Sequence, residues 1–282
     1  MKNGFPQASR LSVSLVVYHS PVTLLRATVD SLLASARVAL AEGVLADVLV
    51  TVVDNSQSPD YGASVREVLE SVELSDFFTV RYVEAGQNDG FAGGHNLALT
   101  EVGSDYHLVL NPDVELASSA LSAGLSALQR DPGLVLVSPR VVGSTGEQEF
   151  LCKSYPSVLV LLLRAFAPAA VRARFRSRLD RYELHALCSG DQADDVLLAS
   201  GCFMLVRTSA LTQVCGFNDK YFLYFEDFDL SLRLRDLGRL TFQPAMQITH
   251  HGGYAASKGT RHIWLFIKSG FRFFNDHGWK WI

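Results

Sequence analysis

Between residues 11 and 113, short β-branched apolar runs alternate with stretches of helical period, and no other feature constrains the fold of this chain as much. The runs cover residues 11–18, 48–53, 79–83 and 107–110, with helices expected over 22–41, 63–74 and 95–100. Short strands with intervening helices predict an α/β layer with a mainly parallel central sheet. Three of the runs end in polar residues: Tyr18-His19-Ser20, Asp54-Asn55-Ser56 and Asn111-Pro112-Asp113. The carboxyl ends of parallel strands open on one crevice, and ligands bind there.

The second half reads differently. A helix over 117–129 and a strand over 134–138 precede a long irregular stretch, followed by a strand across 196–207 and a helix over 228–237 closed by Gly238. Without a Ser/Pro/Gly linker or an internal repeat, residues 1–260 read as one continuous domain. Residues 261–282 read as an aromatic and basic helical extension, packed on that domain, on a partner subunit in a homo-oligomer, or at a membrane interface.

Composition removes several function classes. Twenty-five basic against 29 acidic side chains leave a charge of −4, so no global attraction draws the chain to nucleic acid. The four cysteines form no CxxC pair, which fits free thiols in a reducing compartment. The run 11–18 is too short for a secretory core, and the longest apolar window, 158–171, is broken by Arg164 and Pro168. It falls short of the roughly 20 residues that span a bilayer.

Five segments carry candidate chemistry. Asp54, at the end of its strand, could accept from a base N–H or a ribose hydroxyl, or simply cap a turn. In Asn88-Asp-Gly90-Phe-Ala-Gly93-Gly94-His-Asn96 the glycines miss the dinucleotide spacing, yet they would let backbone approach a ligand and open a helix toward an anion. Asn111-Pro112-Asp113 holds a carboxylate at a strand end, an oxygen ligand suited to Mg²⁺ or Mn²⁺ or an ordinary turn. Glu226, Asp227 and Asp229 open an amphipathic helix after an aromatic run: one can meet the helix dipole while another acts as a base. For Asp229, pairing with Arg233 or Arg235 is the simpler reading. His250 and His251, before Gly252 and Gly253 and followed by Ser257 and Lys258, can reach a metal or a pyrophosphate, or serve as plain surface residues.

In this order the segments resemble the family 2 glycosyltransferases of GT-A fold, and within them the rhamnosyltransferase branch. The resemblance runs from about residue 11 to 260 and includes Gly201-Cys-Phe-Met-Leu-Val206. It implies a nucleotide-sugar donor bound by Tyr18, His19, Asp54, Asn88, Gly90 and Asn111, with Asp54 near the base. Asp113 takes the place of the last acidic residue in the family's DxD motif, whose first acidic residue is Asn111 here. His250 would be the second ligand of an Mg²⁺ or Mn²⁺ ion, and Asp227 the general base beside Glu226. The implied reaction is inverting transfer of L-rhamnose from dTDP-L-rhamnose to a saccharide on polyprenyl diphosphate, in O-antigen-type bacterial polysaccharide synthesis. The implied location is cytoplasmic or peripheral on the inner face of the membrane. Other donors, such as UDP-linked galactose, glucose or N-acetylhexosamine, and a nucleotide-sugar binding module without turnover are the alternatives. Residues 158–181 pair an apolar segment with alternating arginines, which suits an anionic membrane surface or a lipid diphosphate, or a buried helix with a solvated basic end. Residues 262–282 join aromatics to Lys268 and Arg272 and could form a second interfacial element.

Overall fold

The computed structural model describes residues 8–100, 103–252 and 260–282. The chain begins with β1 (Ser9–Val17), α1 (Val22–Ala41), β2 (Leu45–Asp54), α2 (Pro59–Glu70), β3 (Phe78–Glu84), α3 (Gly90–Ala98) and β4 (Tyr106–Leu110). It continues through β5 (Val114–Leu116), α4 (Ala120–Arg130), β6 (Leu134–Gly143), β7 (Gln148–Glu149), α5 (Val158–Phe166), α6 (Ala169–Arg174), α7 (Arg176–Tyr182) and α8 (His185–Cys188). Then come β8 (Asp194–Val196), β9 (Phe203–Arg207), α9 (Thr208–Gln213), α10 (Glu226–Arg235), β10 (Arg239–His250) and α11 (Thr260–His277).

One sheet runs in the order β3-β2-β1-β4-β9-β6-β10-β5, with β7 on β6 and β8 on β10. The long pairings, β3 with β2, β2 with β1, β1 with β4 and β6 with β10, are parallel. The antiparallel partners β5, β7, β8 and β9 are short, at two to five residues each. Helices α1, α2 and α4 cover one face over Leu15, Leu25, Leu32, Val50 and Leu125, while Met204, Leu230 and Phe242 fill the other face under α10. Parallel strands buried on both faces read as near-continuous apolar runs, as 108–110 does, and His107 is accommodated because both its ring nitrogens are hydrogen-bonded.

Local chemistry moves three expected boundaries. Helix α2 starts at Pro59 because Ser58 caps it, its hydroxyl accepting from the Tyr61 N–H at 3.4 Å. Helix α3 starts at Gly90, where the Asn88 side chain accepts the Gly90 N–H at 3.0 Å. The single strand expected across 196–207 is two: β8 pairs with β10, and β9 enters between β4 and β6. The turn between them lets Cys202 accept the Asn111 N–H at 2.9 Å and so ties β9 to the end of β4.

A buried polar chain fixes α3 on the sheet. Ser12 Oγ meets His107 Nδ1 at 2.7 Å, His107 Nε2 meets Ser14 Oγ at 2.9 Å, and Ser14 Oγ meets His95 Nδ1 at 2.6 Å. Burial holds both imidazoles neutral: His95 lies well below the usual histidine range and His107 is lowered to about 3.

The last helix is anchored by aromatic packing. Phe273 and Phe274 of α11 are buried with Tyr221, Phe225 and Leu161, and burying each such ring contributes about 1.5–3 kcal/mol. His277 bonds Asp229 at 2.9 Å, and the carbonyls of Lys280 and Trp281 accept the first N–H groups of α5. Asp229 also pairs with Arg233 at 2.7 Å. Among the described residues no helix is long and apolar enough to cross a membrane.

Candidate active site

The strand ends enclose a cavity of about 310 Å³. Tyr18 and Ser20 follow β1, Asn55 follows β2, Asn111, Pro112 and Asp113 follow β4, and Asn88, Gly90 and Phe91 stand at the start of α3. Phe222, Leu223 and residues Arg261, His262 and Leu265 of α11 close it. Gly90 is obligatory by two criteria: its φ is +73°, and a Cβ there would fall 2.0 Å from the Phe222 carbonyl oxygen. That close approach allows the Phe91 N–H to bond Phe222 O at 3.0 Å, while Asn55 Nδ2 donates to Gly90 O at 2.8 Å. The loop after β2, the start of α3 and the segment leading to α10 are thereby locked together.

Of the residues the sequence points to for a nucleotide sugar, Tyr18, Asn88, Gly90 and Asn111 line this cavity. Two others do not. Asp54 is buried and spends both oxygens internally, accepting from Ser56 N–H and from the Tyr82 hydroxyl, each at 2.8 Å. It behaves as the turn cap that its residue type favours at a strand end. His19, at φ 51°, is turned out between the rings of Tyr18 and Tyr61, 5.0 and 5.2 Å away. Ser20 takes the place in the wall that His19 leaves.

Sheet pairing brings Asp113 and His250 together across 137 residues of sequence: His250 is the cross-strand partner of Val114, and the His251 N–H bonds Asp113 O at 2.8 Å. Asp113 Oδ1 is buried without a hydrogen-bond partner among the described residues, 3.7 Å from His250 Nε2. His250 Nδ1 bonds Glu149 Oε2 at 2.8 Å. A carboxylate on one imidazole nitrogen orients the ring and leaves the other nitrogen to act as a ligand. Two metal–ligand bonds span about 4 Å end to end, so an orphaned carboxylate oxygen and an oriented imidazole at this separation fit one divalent ion. No cluster of three or more His, Cys, Asp or Glu among the described residues is placed to hold a metal, so this pair would supply few protein ligands, as Mg²⁺ commonly takes. Gly252 leaves room for the ring, since a Cβ there would meet His250 Cε1. His251 turns instead to Glu115 at 2.7 Å. Gly253, Ser257 and Lys258 lie outside the described residues.

Glu226 and Asp227 open α10 immediately after two non-glycine residues at positive φ, Tyr224 at 72° and Phe225 at 67°. Such a pair costs about 1–3 kcal/mol per residue and persists only where packing dictates it. Here the Phe225 ring is clamped among Phe228, Phe266 and Phe273, and the Tyr224 hydroxyl bonds His262 Nδ1 at 3.0 Å. Asp227 is partly buried, with Oδ2 accepting from Gly201 N–H at 3.0 Å and Oδ1 from Phe228 N–H at 2.9 Å. Burial pushes its carboxyl above the ordinary aspartate range, against the lowering effect of those N–H groups. Glu226 is 5% exposed, with Oε2 unpartnered among the described residues. Burial first, then the neighbouring Asp227, drives its carboxyl well above the usual range.

Asp227 and Glu226 belong to the wall of a second cavity, of about 430 Å³, with Glu149, Lys153, Arg164, Tyr182 and Phe266. Glu149 joins the two cavities through His250 and Asp113, and so does the run from Phe222 and Leu223 on one side to Phe225 and Asp227 on the other. The sequence carries no motif for Glu149 or Lys153. Glu149 ends the two-residue β7 and Lys153 follows it, where neither period nor spacing in the sequence marks a residue.

The strand-end crevice of the α/β sheet thus abuts a second, carboxylate-walled cavity. The model of glycosyl transferase family 2 matches residues 12–213, and the chain belongs to that family; it is a glycosyltransferase. The N-acetylglucosaminyl-diphospho-decaprenol L-rhamnosyltransferase of Mycobacterium tuberculosis is 28% identical over 221 residues, 72% of this chain and 69% of its own length. The rhamnosyltransferase WbbL of Escherichia coli is 26% identical over 218 residues, 70% of this chain and 75% of its own. Among solved structures, GalNAc-T7 with UDP, GalNAc and Mn²⁺ superposes at a TM-score of 0.61 and 12% identity, over 87% of this chain and 44% of that one. The mannosyltransferase PcManGT of Pyrobaculum calidifontis, with GDP-Man and Mn²⁺, gives 0.59 and 16%, over 93% of this chain and 62% of that one. These two share the GT-A fold with this chain.

Proposed function

We propose that the protein is an inverting rhamnosyltransferase that moves L-rhamnose from dTDP-L-rhamnose to a saccharide carried on polyprenyl diphosphate, in the assembly of an O-antigen-type bacterial cell-surface polysaccharide. The observation that carries the reaction type is Asp227: a desolvated carboxylate, aimed by two backbone N–H groups into the cavity that adjoins the strand-end crevice. The sugar rests on the two rhamnosyltransferase relatives, and the lipid-linked acceptor on the Mycobacterium tuberculosis one.

In this reading the strand-end cavity holds the nucleotide and its diphosphate, and the acceptor enters the second cavity. Asp227 takes the proton from the acceptor hydroxyl as its oxygen attacks the anomeric carbon, and the carbon–diphosphate bond breaks on the opposite face. Burial raises the proton affinity of Asp227, which makes it a stronger base than a solvated aspartate, and burial and the neighbouring Asp227 raise that of Glu226. Asp113 and His250 would hold Mg²⁺ or Mn²⁺, which when bound neutralises charge on the departing diphosphate. Glu149 keeps His250 in the tautomer with a free Nε2. The apolar residues Ile263, Trp264, Ile267 and Phe271 on the outer side of α11 stand beside Lys268 and Arg272, and we take this side to meet an anionic bilayer from the cytoplasm.

The test is release of nucleoside diphosphate from dTDP-rhamnose, UDP-glucose, UDP-galactose and GDP-mannose, with Mn²⁺ or EDTA. Metal-dependent release from dTDP-rhamnose is expected. Release from a UDP sugar alone overturns the donor, and binding without release even with lipid-linked acceptor makes the chain a binding module.

A further inference from the structure

The cavity beside Asp227 does not end at Arg164. It shares Leu161, Arg164, Glu183 and Phe266 with a further hollow of about 420 Å³, to which α6 contributes Arg172. Three kinds of chemistry are therefore gathered here. The carboxylates Glu226 and Asp227 and the cations Lys153 and Arg164 line the first hollow, Arg172 lines the second together with the apolar Leu161, Leu179 and Phe266, and the helices α5 and α11 that supply Leu161 and Phe266 also carry the exposed apolar side chains Leu162, Phe166, Trp264 and Ile267. A saccharide hydroxyl, a diphosphate and a hydrocarbon chain require those three kinds.

We propose that this groove is the binding site for the diphosphate and first isoprene units of a lipid-linked acceptor, with Arg164 and Arg172 on the phosphate oxygens; the assignment rests on the transferase reading above. Charge supports it. Between residues 158 and 182 the chain carries six arginines and one aspartate, although the whole chain has a net charge of −4. Arg164 pairs with Glu183 and Arg176 with Asp180, but every residue of α6 is exposed and Arg172 has no ion pair among the described residues. The inner cations are held in place. Arg164 Nε and Lys153 Nζ share Glu183 Oε1 at 3.1 and 3.5 Å, and both lie over the Tyr182 ring, at 5.5 and 5.8 Å. A guanidinium fixed by one carboxylate and one ring keeps further N–H groups for a phosphate. The apolar rim is separately built, because α5 and α11 are joined by Phe266, Leu161 and Phe273 in one aromatic cluster.

All three tryptophans, Trp264, Trp279 and Trp281, lie in the C-terminal segment, whose helix α11 supplies Phe266 to the groove, and their fluorescence serves as the readout of occupancy. Farnesyl diphosphate, inorganic pyrophosphate and farnesol are titrated into the full chain holding saturating dTDP and Mg²⁺. Farnesyl diphosphate is expected to saturate the protein, with the other two binding at least tenfold more weakly. The double variant R164Q/R172Q should weaken farnesyl diphosphate at least tenfold and leave dTDP affinity unchanged, and R164K/R172K should recover part of the loss. Equal titration of wild type and R164Q/R172Q overturns the groove while leaving the transferase reading intact. Farnesol binding as tightly as farnesyl diphosphate reduces the site to an apolar patch, pyrophosphate binding as tightly makes it a plain phosphate site, and farnesyl diphosphate binding only when dTDP is left out places the probe in the donor cavity; each overturns the assignment. A wild type that binds no nucleoside diphosphate fails the transferase reading itself.

Discussion

The two cavities that meet near Asp227 are built in opposite ways. The strand-end cavity is shaped by backbone: three strand termini, the start of α3 and one glycine pressed against the Phe222 carbonyl. The second cavity is shaped by long side chains, Lys153, Arg164, Tyr182 and Phe266, drawn from helices and loops far apart in the chain. A backbone-walled pocket suits a nucleotide diphosphate, whose geometry is common to all donors. A pocket walled by side chains can be retuned by substitution, which suits an acceptor that differs from enzyme to enzyme.

The largest expected effect lies where the cavities join. Asp227→Asn should lower turnover about 10²–10⁴-fold while nucleoside diphosphate binding persists; unchanged turnover would remove the base from the second cavity. Next, Asp113→Ala should erase the difference between dTDP affinity in Mn²⁺ and in EDTA. Glu149→Gln should weaken Mn²⁺ binding about 10–100-fold by loosening His250, and an unaltered Mn²⁺ titration would separate Glu149 from the donor side.

Gly90→Ala probes the backbone wall directly. It should cost at least about 1 kcal/mol of stability, lower the melting temperature and weaken nucleotide binding. A variant as stable and as tight as wild type would show that the close approach to Phe222 does not shape the donor cavity.

A smaller effect distinguishes the second cavity by pH. The folded Glu226 carboxyl is raised above its unfolded value of 4.5, so the folded state binds its proton more tightly and the buried glutamate costs stability as pH rises through that window. Glu226→Gln should therefore raise the melting temperature at pH 7.5, with the gain fading as pH falls below 4.5. His95 and His107, behind the donor cavity, act in the opposite direction: their lowered values favour the fold above pH 6.5 and cost stability as pH falls below it. Equal pH profiles for wild type and Glu226→Gln would mean that Glu226 is solvated. The smallest expected effect is at the membrane. Trp264→Ala should reduce flotation with anionic vesicles, and no recovery of wild type would end the membrane contact.

Much of the strand-end cavity was legible because its signals are local. Asn88, Gly90 and Asn111-Pro112-Asp113 sit where a strand ends or a helix begins, and those positions follow from period and turn chemistry. Asp54 and His19 show where such reading stops. A polar residue at a strand end can turn toward the crevice or toward its own neighbours, and the rings of Tyr82 and Tyr61 settled that choice. The single strand expected across 196–207 is two for a related reason, since an apolar run does not reveal that β8 and β9 pair with different neighbours.

By itself the sequence determined the α/β layer, the crevice at its strand ends and the carboxylate pair that opens α10, because each depends on residues within one or two turns of one another. Only the tertiary structure decided which groups meet across long loops. Asp113, His250 and Glu149 converge because β10 runs between β5 and β6. Arg164 of α5 reaches the Asp227 cavity, and Arg172 of α6 the hollow beyond it, because aromatic burial seats α5 and α11 beside α10. Such contacts are selected by packing of the whole core, and no local pattern of residues encodes them.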